Sequence, residues 1–248
     1  MGLWRCCRAM ASATSALSEN DPGVSVSDRR GSYPGRFIVL EGIDGAGTTT
    51  QRERLATWLR SLGYTVHCTA EPTSGPVGKL IRSLLSAQAE PFDPEAMALL
   101  FAADRRDHIA REVRPQLERG SIVLSDRFVL SSLAYQTSAG VPRDFVWQAN
   151  HGGSGLHEPD LTLFVHVPVT VAADRRAKRA SEKEIYDDLP VQERVAAAYA
   201  QEAEALAARG RDCRFIDGAG TPEQVEGLLR SAIRTILPAA PAVGSARY

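Results

Sequence analysis

Gly42-Ile43-Asp44-Gly45-Ala46-Gly47-Thr48-Thr49-Thr50 is the stretch on which the fold of this chain turns. Before it runs an apolar segment, Phe37-Ile38-Val39-Leu40. After it comes a helical pattern that sets Leu55, Trp58, Leu59 and Leu62 on one face and stops at Gly63. A strand, a glycine-rich turn and a helix in that order read as a phosphate-binding loop. The glycines permit a tight turn whose backbone N–H groups point inward, and those donors with the helix N-terminus hold a polyphosphate. Thr49 stands where the pattern supplies a hydroxyl for Mg²⁺. The pattern also asks for lysine at position 48, and this chain carries Thr48. Such a lysine is a point charge between the β- and γ-phosphates, so its replacement removes stabilisation from a phosphoryl transfer. Taken alone, the loop is also compatible with a glycine-rich turn that binds nothing.

Outward from the loop, apolar strands alternate with amphipathic helices. Tyr64–Thr69 alternates and ends at Glu71-Pro72, while helical patterns cover 77–86 and 94–118, broken by Pro91 and ended by Gly120. Ile122–Leu124, Leu161–Val167 and Arg214–Ile216 read as further strands, with helices expected near 143–150, 170–181, 188–209 and 222–236. Strands joined by crossover helices predict an α/β fold of the P-loop NTPase type, a parallel sheet with helices on both faces. No linker interrupts 36–237, so a single domain over 35–237 is expected. Residues 1–34 lack periodicity and read as a disordered extension, with Met10 as an alternative start, and 238–248 as a flexible tail.

Composition narrows the function classes. The 248 residues are 44% hydrophobic and carry a formal net charge of -1, which excludes binding of nucleic acid through bulk positive charge. No apolar run approaches the roughly 20 residues of a membrane span. Of the four cysteines, Cys6 and Cys7 are adjacent near the N-terminus and Cys68 and Cys213 fall in strands; without metal-ligand spacing they read as reduced thiols of a cytoplasmic protein. A second chemical feature is Ile122-Val123-Leu124-Ser125-Asp126-Arg127, a strand that delivers a carboxylate and a guanidinium at its C-terminal end. Ligands sit at that end of a parallel sheet. Asp126 suits Mg²⁺, directly or through water, and Arg127 suits a pair of phosphate oxygens.

These segments resemble the thymidylate kinase family. Leu40 to Gly47 is similar to its phosphate loop, including the acid at Asp44, and Asp126-Arg127 followed by Ser131-Ser132-Leu133-Ala134-Tyr135-Gln136 is similar to its most specific signature. Phe101 to His108 resembles the family's substrate helix, Glu71-Pro72 with Gly75 to Arg82 its segment after the second strand, and Pro159 to Leu163 the approach to a later strand. The resemblance implies transfer of the γ-phosphoryl group of ATP to dTMP, giving dTDP, with Mg²⁺ and in a cytoplasmic homodimer. By position it implies that the loop Gly42, Ile43, Asp44, Gly45, Ala46, Gly47, Thr48, Thr49 and Thr50 binds ATP phosphates. It implies that Glu71, Phe101, Arg105, Arg127, Ser132, Tyr135 and Gln136 bind dTMP. In this assignment Phe101 stacks on the thymine, Arg105 stacks on or hydrogen-bonds it, and Tyr135 excludes a 2′-hydroxyl. Thr49, Asp126 and Asp44 would surround the metal.

The chain departs from the family pattern at Thr48, at Ala70 where many members have arginine, and in the segment 175–187, which would be a small helical lid. Members with glycine at the position of Gly45 resemble those that supply catalytic arginine from that lid. Arg175, Arg179 and Lys183, spaced four apart, would share one helix face and join Asp44 and Arg127 as catalytic groups; a solvated basic face is the plainer reading. Two other activities stay open: a kinase for another deoxynucleoside or its monophosphate, and a catalytically silent nucleotide-binding protein. Thr48 favours the latter, and intact Asp44, Asp126 and Arg127 oppose it.

Overall fold

A computed structural model describes residues 33–86, 88–152, 157–178, 185–186 and 188–239. Its strands are β1 (Arg36–Glu41), β2 (Val66–Ala70), β3 (Ile122–Asp126), β4 (Leu161–His166) and β5 (Cys213–Asp217). They pair in parallel in the order β2-β3-β1-β4-β5. The helices among the described residues are α1 (Thr48–Ser61), α2 (Pro76–Leu85), α3 (Pro94–His108), α4 (Arg114–Glu118) and α5 (Val129–Ser138), then α6 (Arg143–His151), α7 (Val169–Ala177), α8 (Leu189–Ala208) and α9 (Pro222–Arg234). None of them is long and apolar enough to cross a membrane.

Successive strand residues point to opposite faces, and the central strands are apolar on both. Ile38, Leu40, Ile122 and Leu124 join Leu55 and Leu59 of α1, Val195 and Tyr199 of α8 and Leu229 of α9 in one core. Phe37, Val39 and Val123 face the other way, onto Ile109, Val113, Leu117, Leu133 and Val146. Each such side chain contributes about 1.5–3 kcal/mol on full burial, so both faces must be covered and the sheet is forced into the middle layer. Leu40 and Ala70 both lie level with Asp126. The turns that leave β1, β2 and β3 therefore open at one edge, where the chain passes to β3 and β2 on one side of β1 and to β4 and β5 on the other. A crevice at that edge follows from the topology.

Four elements differ from the sequence reading. Leu62 is not on the buried face of α1: the helix ends at Ser61, and Leu62 is its half-exposed C-cap ahead of Gly63 at φ 87°. The pattern over 94–118 is not one helix. Pro115 cannot donate to the carbonyl four residues back, and ahead of it the helix widens into a π-helical turn, Ile109–Val113, closed by Arg114 N–H donating to Ile109 O. The helix expected to 181 ends at Ala177, with Lys178 as its cap. Finally, α5 carries no amphipathic signal, because eight of its ten residues, Val129 to Gln136, are buried; a helix packed all round shows no polar face to betray its period.

Candidate active site

The loop after β1 has the shape its glycines demand. Gly45 and Gly47 adopt φ 91° and 93°, and Ala46 N–H closes the turn on Ile43 O at 2.9 Å. A Cβ on Gly45 would lie 2.4 Å from the carbonyl oxygen of Ala172, so glycine there lets α7 lie directly on the loop. Two guanidiniums of α7 follow it in. Arg175 donates to Gly218 O (3.1 Å), Ala46 O (3.4 Å) and Gly220 O (3.4 Å), and Arg176 donates to Asp44 O at 2.6 Å. Arg179 and Lys183 lie outside the described residues. Thr48 is buried and Thr49 exposed in the first turn of α1.

Beside the loop, β3 ends in Asp126 and Arg127. Thr49 Oγ1 donates to Asp126 Oδ2 at 2.5 Å, and Asp126 Oδ1 is buried with no hydrogen-bond partner. No three His, Cys, Asp or Glu side chains gather as a cation cage among the described residues. A hydroxyl, a carboxylate and one unsatisfied oxygen fit a cation that takes its remaining ligands from phosphates and water, as Mg²⁺ does. The Asp44 carboxylate is not turned to this pair: Oδ1 accepts from Arg127 Nη2 at 2.6 Å and Oδ2 from the Tyr135 hydroxyl at 2.8 Å.

Arg127 is the hub of the site. Its backbone lies at φ 77°, rare for a side chain larger than glycine, while its N–H donates to Leu40 O at 2.9 Å. The guanidinium donates to Tyr199 Oη (3.0 Å) and Ser131 Oγ (3.3 Å) as well as to Asp44, and lies 5.1 Å from the centre of the Tyr135 ring. Burial works against ionisation of Asp44, but Arg127, the Tyr135 hydroxyl and Arg176 outweigh it and hold the carboxyl below its ordinary 3.8. The Asp44 side chain keeps 37% of its exposure, so water entering the cavity screens the pair. Behind Arg127, Glu41 is fully buried at the N-terminus of α5, accepting from Phe128 N–H (2.8 Å), Ser131 N–H (3.3 Å), Ser131 Oγ (2.6 Å) and Tyr199 Oη (3.2 Å). Burial pushes its carboxyl up against the pull of Ser131, Arg127 and Arg105.

A cavity of about 330 Å³ opens in front of these groups. Asp44, Thr49, Asp126 and Arg127 line one end; Phe101, Ser132, Gln136, Arg82 and Tyr186 line the remainder, with Glu71 and Tyr135. Gln136 Oε1 is buried there without a partner. Arg105 is not placed to reach a ligand. Its Nε and Nη2 hold Glu71 (2.8 and 2.7 Å), Nη1 holds Ser132 Oγ (3.0 Å) and Asn150 Oδ1, and Nη2 also meets Phe128 O (2.9 Å). With 1% exposure and every nitrogen engaged, it clamps the wall of the cavity and does not line it. Glu71 is likewise committed, to Arg105 and to His108 Nδ1 at 2.9 Å.

Sequence reasoning missed Glu41, Tyr199, Arg82 and Tyr186. An acid closing the apolar run Phe37–Leu40 was the visible signal for Glu41. Tyr199 lies in an alanine-rich helix and gives none.

A parallel α/β sheet with a glycine-rich loop between its first strand and helix is the architecture of P-loop nucleotide-binding proteins. The family model described as thymidylate kinase matches residues 40–210. Among curated relatives, the probable thymidylate kinase of Pyrococcus abyssi is 37% identical over 195 residues, covering 77% of this chain and 92% of that protein. The thymidylate kinase of Rhizorhabdus wittichii is 40% identical over 210 residues, 83% of this chain and all of that protein. That of Synechococcus sp. is 41% identical over 178 residues, 68% of this chain and 85% of that protein. This chain belongs to the thymidylate kinase family.

Proposed function

We propose that the chain is an ATP-dependent dTMP kinase, forming dTDP for dTTP synthesis. A phosphate oxygen of dTMP attacks the γ-phosphorus of ATP, the bond from that phosphorus to the β–γ bridging oxygen breaks, and ADP leaves. The observation that carries this reading is the continuity of one cavity from the phosphate loop, past Arg127 and Asp44, to Phe101 and the unpaired Gln136 oxygen.

Loop N–H groups from Gly42 to Thr50 hold the ATP phosphates, and Arg127 holds the acceptor phosphate through its planar fork. Asp44 and Tyr135, already bonded to one another, face the deoxyribose, where the Tyr135 ring leaves no room for a 2′-hydroxyl. Phe101 stacks on the base. Gln136 Oε1 accepts from the N3–H of thymine; cytosine offers a lone pair there, which leaves both groups unpaired and costs affinity. Glu71, Arg105 and Ser132 hold this wall in place. Thr49 and Asp126 would hold Mg²⁺, which would neutralise charge on the transferring phosphates. Arg175, with Arg179 and Lys183, supplies the charge that Thr48 does not.

The protein acts as a cytoplasmic homodimer in this reading. Half-exposed Leu80 on α2, Phe92 before α3 and Leu99 on α3 support self-association, and free Cys68 and Cys213 suit a reducing compartment. The domain expected over 35–237 is wider at both ends, since Tyr33 packs on His157 and the Pro238 carbonyl accepts from Tyr64 Oη at 2.7 Å; residues 1–32 and 240–248 lie outside the described residues. Coupled measurement of ADP release with dTMP, dUMP, dCMP, dGMP and no acceptor tests the reading. dTMP should give the highest kcat/KM and the acceptor-free reaction almost none; preference for another acceptor, or turnover without one, would defeat it.

A further inference from the structure

Arg52 lies one helical turn beyond Thr48 on α1 and lines the cavity at its phosphate end, beside Thr49, Asp126 and Ala70. Its side chain is 14% exposed. Nη1 donates to Thr69 O at 2.8 Å, the carbonyl just before Ala70. Nε and Nη2 rest on Glu53 Oε1 at 3.1 and 2.5 Å. Those three bonds leave two of the five guanidinium N–H groups for a ligand. Glu53 is 58% exposed, so letting go of it costs little in water.

Charge at this end of the cavity calls for such a group. Asp44 and Asp126 are the acids there, and of the cations that face them Arg127 already shares its Nη2 with Asp44 at 2.6 Å, while Arg176 is held on the Asp44 carbonyl. A phosphomonoester arriving with about -1.5 to -2 charge would find the Arg127 guanidinium partly spent on Asp44. Arg82, the other cation of the wall, is engaged with Pro72 O and sits on α2 on the Phe101 side. Position 70, level with Asp126 across the sheet, offers only a methyl group.

We propose that Arg52 is a second ligand of the acceptor's 5′-phosphate, reaching it from α1 where β2 brings no charge at Ala70. This rests on the thymidylate reading, and thymidine, which lacks the phosphate, separates the two. Calorimetric binding of dTMP and thymidine to the full chain, Arg52→Ala and Arg52→Lys provides the test. Arg52→Ala should weaken dTMP by about 10- to 100-fold, the worth of one charge-assisted hydrogen-bonded contact, and leave thymidine unchanged. Arg52→Lys keeps the charge and the stem, guards against a folding defect, and should show the same selective loss on a smaller scale. Equal weakening of both ligands would mean that Arg52 only props β2 through Thr69, and no weakening would mean that it touches neither; either overturns the inference. A parent chain that binds thymidine but not dTMP also overturns it, whereas one that binds neither defeats the thymidylate reading itself.

Discussion

The acceptor cavity and the phosphate loop beside it are held in different ways. At the acceptor end, Arg127, Asp44, Tyr135, Ser131, Tyr199 and Glu41 form one bonded cluster, with Arg105, Glu71 and His108 clamping the wall beside it. At the phosphate-loop end the framework is backbone: glycines at positive φ, the N-terminus of α1, and α7 lying on the loop with Arg175 and Arg176 on its carbonyls. A cluster of charged side chains fixes one geometry before any ligand arrives, and buried, fully paired polar groups tolerate little change. A cradle of N–H groups asks only for the right turn. Thr48 stands in place of its one expected point charge, and Gly45 and Gly47 precede it at φ 91° and 93°. In the proposed reaction, selection of the acceptor is then built into side chains, and donor binding into the main chain.

Breaking the acceptor cluster should therefore have the largest effect. Arg127→Ala removes the fork proposed to meet the acceptor phosphate and leaves Asp44 with the Tyr135 hydroxyl alone, and kcat should fall by about 10²- to 10³-fold, the scale for deleting one preorganised donor. Steady-state kinetics with saturating ATP measures it; near-normal turnover would mean that another group holds the acceptor.

The donor end yields a smaller and partly recoverable loss. Arg175→Ala should lower kcat by about 10²-fold while changing the KM for dTMP little, as expected of a charge felt mainly in the transition state. Thr48→Lys should restore part of that loss and alter the parent less, since two charges serving one site couple. The four kcat values of this cycle decide it, and additive effects would separate Arg175 from the donor phosphates.

Smaller still is the pH signature of Asp44. Its carboxyl is held below 3.8 in the fold, so the ionised form stabilises the native state above pH 3.8, and that contribution is lost as pH falls through the depressed value. The melting point of Asp44→Asn should lie below the parent's by a constant margin from neutral pH down to 3.8, and the gap should close below it. A gap that widens in acid would show that Arg127 does not set this carboxyl. The least effect is expected from removing residues 1–32. Tyr33 packs edge-on to His157 with centroids 5.2 Å apart and stays, so melting point and kcat should both be unchanged.

Much of this was written in the chain. The apolar runs at Phe37–Leu40, Ile122–Leu124, Leu161–Val167 and Arg214–Ile216 each became a strand, because a sheet buried on both faces needs continuous apolar segments. The glycine spacing placed the loop, and Asp126-Arg127 marked the strand end beside it. What stayed hidden depends on packing between distant segments. Helix α5 was masked by its own burial. The split at Ile109–Val113 needed the effect of Pro115 one turn earlier. Arg105 read as a ligand-facing residue by position in the family resemblance; only the positions of Glu71, Asn150 and Phe128 O reveal that its donors are spent. Tyr199 reaches Arg127 across 72 residues of chain, a pairing that no local pattern encodes.

The destination of the γ-phosphoryl group of ATP defines the reaction. Phosphorus NMR of a reaction holding the chain, ATP, Mg²⁺ and dTMP follows every phosphorus at once. The β-phosphorus of dTDP should grow in step with ADP while inorganic phosphate stays flat. ADP and inorganic phosphate rising together with dTMP unchanged would contradict the account and make the chain a nucleotide hydrolase, and no loss of ATP at all would make it a silent nucleotide binder.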